Sequence, residues 1–153
     1  MLEIPAHSGD RIPEIRALFA EYWTSFGFTP CFQNFAAELE GLPGDYSPPS
    51  GRLLLALWDG LPAGCAALRR FDAERAEAKR MWVRPQFRRL GIGRALLDRV
   101  IAEARAAGYR ELLGDTMPGM AQALDMYDRY GFERTGPYST RATPGAIFLR
   151  LKL

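Results

Sequence analysis

After Asp10, a natural N-cap, and Pro13 in the first turn, apolar residues recur at Ile12, Ile15, Phe19, Tyr22, Trp23 and Phe26 before Gly27 interrupts the run. That spacing predicts an amphipathic helix. A second, shorter helical stretch covers Phe32 to Glu40 and ends at Gly41 and Pro43, and the proline- and glycine-rich run 44–51 reads as a loop. Leu2 to Pro5 is short and extended. Arg52 to Trp58 and Leu61 to Phe71 flank Asp59-Gly60, the composition of a tight hairpin turn, so two antiparallel strands are expected. A third extended run covers Ala76 to Val83. Past a glycine-containing loop, Ala95, Leu96, Val100, Ile101 and Ala104 repeat at helical spacing until Gly108, and Glu111 to Asp115 is again extended. Helical periodicity returns at Met120, Ala123, Leu124 and Tyr127 and stops at Gly131, followed by extended segments at Phe132 to Thr135 and Ala146 to Leu151.

A strand, a helix and a strand in succession imply a crossover and parallel pairing, whereas the hairpin implies antiparallel pairing, so a mixed α/β (α+β) sheet is expected. At 153 residues the chain is read as one domain over 1–153, long enough to bury a core. No apolar run approaches the roughly 20 residues that span a bilayer. The opening residues, broken by Glu3, Pro5, His7 and Asp10, do not form a signal peptide, and cytoplasmic residence is the expectation. Cys31 and Cys65 read as small buried apolar residues, and with His7 as the single histidine no metal site or Cys/His nucleophile pair is expected. The aromatic group Tyr22, Trp23, Phe26, Phe28, Phe32 and Phe35 fits a core stripe better than a substrate pocket, although acceptor specificity would sit in this region.

The net charge is only +2, yet Arg80, Arg84, Arg88, Arg89 and Arg94 cluster with no acidic residue between them. They surround Arg88-Arg89-Leu90-Gly91-Ile92-Gly93-Arg94, a loop between strand and helix. Free amides at a helix start attract phosphate, and Gly91 and Gly93 lack the Cβ atoms that would hold a diphosphate off the backbone. A dinucleotide fold would want a third glycine where Leu96 stands, and a nucleoside triphosphate loop would want Gly-Lys-Ser/Thr. The modest total charge argues against nucleic acid as the partner.

Two motifs in order resemble those of the GNAT superfamily of acyl-coenzyme A dependent N-acetyltransferases. Its phosphate loop, Q/R-x-x-G-x-G/A, is matched by Arg88, Gly91 and Gly93. Its later helix is matched by Ala123, Met126, Tyr127, Gly131 and Phe132. Motifs that agree independently, at the right separation, are stronger evidence than either alone. The resemblance is clearest from the hairpin onward, and the first fifty residues match only as a variable helical part.

The resemblance implies a single-domain fold with a mixed central sheet of about six to seven strands and about four helices. It implies acetyl-coenzyme A as co-substrate: Arg88, Arg89, Leu90, Gly91, Ile92, Gly93 and Arg94 would hold the pyrophosphate, and the strand carrying Met81, Trp82 and Val83 would pair with the pantetheine amides. Transfer to an amine requires one group that takes a proton and one that gives one. Tyr127 stands where the family commonly places its general acid, with a core tyrosine as the competing role and Tyr130 as a weaker candidate. Glu77 stands where some members place a base, and a strand carboxylate paired with an arginine is an equal reading. Strand alternation is expected to put Glu77, Lys79, Met81 and Val83 on one face. Met120 replaces an asparagine that contacts pantetheine in many members, so that contact is not carried over. The acceptor is expected to be a small primary amine reached by direct attack in a ternary complex. A non-catalytic acyl-coenzyme A sensor is the alternative. Neither a nucleic-acid nor a membrane partner is expected, and edge strands near the C-terminus make a homodimer conceivable.

Overall fold

The structure, a computed structural model, describes residues 1–5, 9–25, 35–116, 120–138 and 145–153. Within these, β1 (Leu2–Glu3) precedes a 3-10 turn (Gly9–Arg11), α1 (Ile12–Ser25), α2 (Phe35–Glu40) and a second 3-10 turn (Gly44–Tyr46). Next come β2 (Arg52–Trp58), β3 (Leu61–Arg70), β4 (Arg75–Val83), a turn at Pro85–Phe87 and α3 (Ile92–Ala106). β5 (Glu111–Thr116), α4 (Ala121–Arg129), β6 (Glu133–Thr135) and β7 (Ile147–Lys152) complete the fold. His7, Phe26, Gly27, Phe28, Cys31 and Phe32 lie outside the described residues.

The seven strands form one mixed sheet in the order β1-β2-β3-β4-β5-β7-β6. Asp59 and Gly60 both take positive φ, 49° and 81°, as a two-residue hairpin turn matched to strand twist demands, and they set Trp58 opposite Leu61. The crossover through α3 makes β4 and β5 the parallel pair.

Both faces of the sheet are covered, which explains why β2 reads as a continuous apolar run rather than an alternation. Leu54, Ala56, Ala66, Leu68 and Ala76 face Ile92, Leu96, Leu97 and Val100 of α3. Leu55, Leu57, Cys65 and Ala67 face Ile15, Leu18 and Phe19 of α1, with Tyr46 beside them. Trp23 and Phe35 are buried against each other, so the described part of the aromatic group is largely core, as expected. Cys65 is fully buried, and burial pushes its thiol above the ordinary range, which leaves it inert.

The close seating of α3 depends on Gly64. A Cβ there would stand 2.7 Å from the Trp82 carbonyl oxygen and 3.4 and 3.5 Å from the Leu96 and Ile92 side chains. Gly64→Val should therefore lower unfolding free energy by about 1–3 kcal/mol through overpacking, read as a reduced urea midpoint at unchanged slope.

Candidate active site

β4 leaves the regular pleat at Arg80. Cys65 pairs with Trp82 and Ala67 with Lys79, so Arg80 and Met81 together stand opposite Ala66, and Arg80 takes a left-handed φ of 58°. The extra residue is a β-bulge, and it reverses the alternation beyond it. Ala78, Met81 and Val83 pack on the α3 face, whereas Trp82 packs on the α1 face. The expected single face for Glu77, Lys79, Met81 and Val83 is thus corrected, because the inserted residue puts Met81 and Val83 on the same face as Ala76 and Ala78, opposite Glu77 and Lys79.

Parallel pairing of β4 with β5 covers only Arg75–Glu111, Ala76–Leu112 and Glu77–Leu113. Beyond this rung β4 stays with β3 up to Val83, and β5 stays with β7 up to Thr116. The two inner edges part. Backbone groups there face a gap, and such groups need a partner.

At the end of β4, the chain turns through Pro85–Phe87 into the N-terminus of α3. Arg89 and Gly91 take positive φ, 66° and 81°, and Ala95 is the first residue of the helix whose amide reaches a carbonyl, that of Gly91 at 3.1 Å. Among the described residues, the amides of Arg89 to Arg94 donate to no backbone carbonyl. With the helix dipole behind them they form an anion seat. A Cβ added to Gly93 would meet only Val83 Cγ2, at 3.9 Å, so the fold itself does not require glycine there; the space in front of the loop is open.

The five clustered arginines divide between two tasks, which corrects their reading as one phosphate patch. Arg80 grips Glu38 through Nε and Nη2 at 2.8 and 2.9 Å and lies over the Trp23 ring at 4.4 Å. Arg84 donates to both oxygens of Glu21, to Oε2 at 2.7 Å through Nη2, and to the Pro62 carbonyl. Both are thus engaged by carboxylates of α1 and α2 that sequence order could not place beside them. Arg88, which donates to the Val83 carbonyl at 3.0 Å and stacks on Trp82, stays with Arg89 and Arg94 at the loop. Burial would raise the Glu38 carboxyl, but the Arg80 fork and charge and the Tyr46 hydroxyl outweigh it and hold the carboxyl below the usual range.

On the α1 side of the gap lies a cluster of ionisable groups. Glu77, on the last paired rung, accepts from Arg69 Nε and Nη2 at 3.0 and 2.9 Å. Lys79 Nζ stands 3.6 Å from Glu77 Oε2 and 3.6 Å from Asp115 Oδ1, spanning the two strands. Tyr138, edge-on to Phe71 and Phe148, buries its hydroxyl near Glu77; burial and then the charges of Glu77 and Asp115 push its phenol up. Burial also raises Tyr22, to about 12, with Arg80 opposing and Asp115 adding to the shift.

Tyr127 projects from α4, half-buried, with its ring edge-on to Phe132 at 5.1 Å. Burial, then Tyr22 and Asp115, push its phenol above the ordinary value, so it remains a proton donor at neutral pH. Tyr130 instead donates to Asp98 Oδ1 on α3 at 2.7 Å and is tied up there. Met120 precedes α4, and its sulfur accepts from the Thr116 hydroxyl at 3.5 Å. Sequence reasoning singled out Tyr127 and Glu77 but gave Asp115, Lys79, Tyr22 and Tyr138 no role in the chemistry.

The model of the acetyltransferase (GNAT) family matches residues 12–132 of this chain. Over 144 residues the chain is 32% identical to an uncharacterized N-acetyltransferase of Schizosaccharomyces pombe, an alignment covering 93% of this chain and 88% of that protein. The crystal structure of an acetyltransferase from Streptococcus agalactiae superposes with a TM-score of 0.81 at 19% identity, covering 99% of this chain and 98% of that one. That of a GNAT family acetyltransferase from Elizabethkingia anophelis with acetyl-CoA bound matches 68% of this chain and 77% of its own, with a TM-score of 0.60 and 29% identity.

The Arg80–Glu38 pair makes a stability prediction with a defined sign. A carboxyl lowered on folding contributes stability that is complete above its unfolded pKa and fades as pH falls through its folded value. Arg80→Ala should cost about 3 kcal/mol near neutrality by leaving the Glu38 carboxylate without a counter-charge and with only the Tyr46 hydroxyl donating to it, and less in acid, where Glu38 is protonated in either form. Urea denaturation at two pH values measures both.

Proposed function

The chain belongs to the acetyltransferase (GNAT) family, and we propose that it transfers an acetyl group from acetyl-coenzyme A to the primary amine of a small acceptor by direct attack in a ternary complex. The observation that carries this reading is the parting of β4 from β5 immediately after Glu77 and Leu113, beside a loop in which, among the described residues, the amides of Arg89 to Arg94 donate to no backbone carbonyl.

Acetyl-coenzyme A supplies the activated acyl carbon. The amides of Arg89 to Arg94 would hold its pyrophosphate, the expected Arg88 amide being engaged instead by the Pro85 carbonyl at 3.3 Å, with the side chains of Arg88, Arg89 and Arg94 adding charge. The open edge of β4 at Met81, Trp82 and Val83 would pair with the amide groups of its pantetheine arm. This directs the thioester into the gap.

Within the gap Tyr127 gives its proton to the departing thiolate, a role suited to a phenol, protonated at neutral pH and pushed further up by burial. Glu77 takes the acceptor's proton, directly or through water, while Arg69 fixes its orientation through two donors on one oxygen. Tyr22 and the α1 face bound the acceptor from the side opposite α3.

Offered a panel of small amines, the protein should release free thiol from acetyl-coenzyme A. A protein that is stabilised by the cofactor yet releases no thiol with any amine would contradict the transfer. Tyr127→Phe should lower kcat about a hundredfold with little change in the KM for acetyl-coenzyme A, because the phenol acts on the leaving group rather than on the bound ground state. Gly93→Ala should leave the thermal midpoint near that of the parent protein while weakening coenzyme A at least about tenfold, measured by calorimetric titration.

A further inference from the structure

Among 20 basic residues the chain has only two lysines, Lys79 and Lys152, and eighteen arginines. Arginine is the better partner for a structural carboxylate, and it fills that role at positions 52, 69, 80, 84 and 99. Lysine differs in that it can lose its proton and attack. The structure places Lys79 two residues beyond the last β4–β5 rung, where the strands have parted, and its Nζ crosses the opening toward Asp115. Its side chain is 10% exposed, and both carboxylates stand at 3.6 Å, outside hydrogen-bond range, so the ammonium is held by charge but not locked in direction.

Resting on the acetyl-transfer reading above, we propose that Lys79 is itself an acetyl acceptor, modified within its own chain when no external amine fills the gap. Lys79 yields one proton to Glu77 or Asp115, and its lone pair attacks the thioester carbonyl. The N–C bond forms, the C–S bond breaks, and the thiolate takes the proton of Tyr127. The second proton leaves the nitrogen as the amide forms and passes by way of the carboxylates to restore Tyr127, so that the chain ends with a neutral acetyl-lysine, one free coenzyme A thiol and one proton released. The product loses the cation that joined Glu77 to Asp115, and its amide occupies the place the acceptor amine would need. Acceptor-free enzyme would thereby close its own site.

The test is internally controlled. Lys152 is exposed and the Met1 amine lies at the surface, so uncatalysed acetylation would favour them over Lys79. The full chain is incubated with acetyl-coenzyme A alone, and peptide mass mapping follows the three amines over time, in the parent protein, in Lys79→Arg and in Tyr127→Phe. Thiol release with the amine panel is measured alongside. The proposal expects about one acetyl group per chain at Lys79, added at least about tenfold faster than at Lys152, because a positioned amine has a high effective concentration. It also expects Tyr127→Phe to slow labelling of Lys79 but not of Lys152, and Lys79→Arg to lose the protected label. Lys79 left unmodified, or labelled no faster than Lys152, in protein that does release thiol with an offered amine overturns the self-acetylation and leaves the transfer reading intact. Absence of both labelling and thiol release overturns the two together.

Discussion

Two parallel strands that pair over three residues and then separate leave hydrogen-bonding groups with nothing in the sheet to meet them. Each strand is satisfied on its outer edge, β4 by β3 and β5 by β7, so neither can swing across to close the opening without breaking an existing ladder. The bulge at Arg80 bends β4 where it leaves β5, and its left-handed residue costs about 1–2 kcal/mol of backbone strain. That cost is offset locally. The Arg80 guanidinium reaches Glu38 and Trp23 in the helical layer, so the layer that covers the sheet also fixes the bend.

The same bend sorts the chemistry by face. Met81 and Val83 turn toward α3, at whose N-terminus, among the described residues, the amides of Arg89 to Arg94 donate to no backbone carbonyl and the side chains of Arg88, Arg89 and Arg94 add charge. Glu77 and Lys79 stay on the α1 side with Arg69 and, across the opening, Asp115. An anion seat with positive potential therefore lies on one side of the sheet, and on the other a cluster of two carboxylates and two cations whose formal charges cancel. On the proposed reading, a thioester carrier held by its phosphates on the first side would present its reactive end to the second.

Helix α4 connects these halves. Tyr130 ties it to Asp98 of α3, the helix that begins at the amide loop, while Tyr127 on the same helix stays clear of that contact. A helix with no fully buried residue is thus held in place by one phenol and presents another. Burial of Tyr127, and of Tyr22 and Tyr138 near the opening, pushes all three phenols further above neutral pH than an exposed tyrosine, which suits them to donate rather than accept.

Local order decided much of this architecture. The hairpin at Asp59-Gly60, the helix after the glycine loop and the parallel pair on either side of it were legible because each rests on spacing and on residues with few conformational options. So was the loop itself, since Gly91 and Gly93 carry their meaning through the absence of a side chain. Tertiary structure alone decided where charges meet. Glu21 and Glu38 stand sixty-three and forty-two residues before the arginines they hold, and no periodicity links such distances. The bulge was hidden as well: Ala76 to Val83 reads as an unbroken strand, and an extra residue is defined only by its register against β3. Sequence spacing reports what neighbours along a chain can do together, whereas ion pairs and strand separation depend on partners brought close by folding.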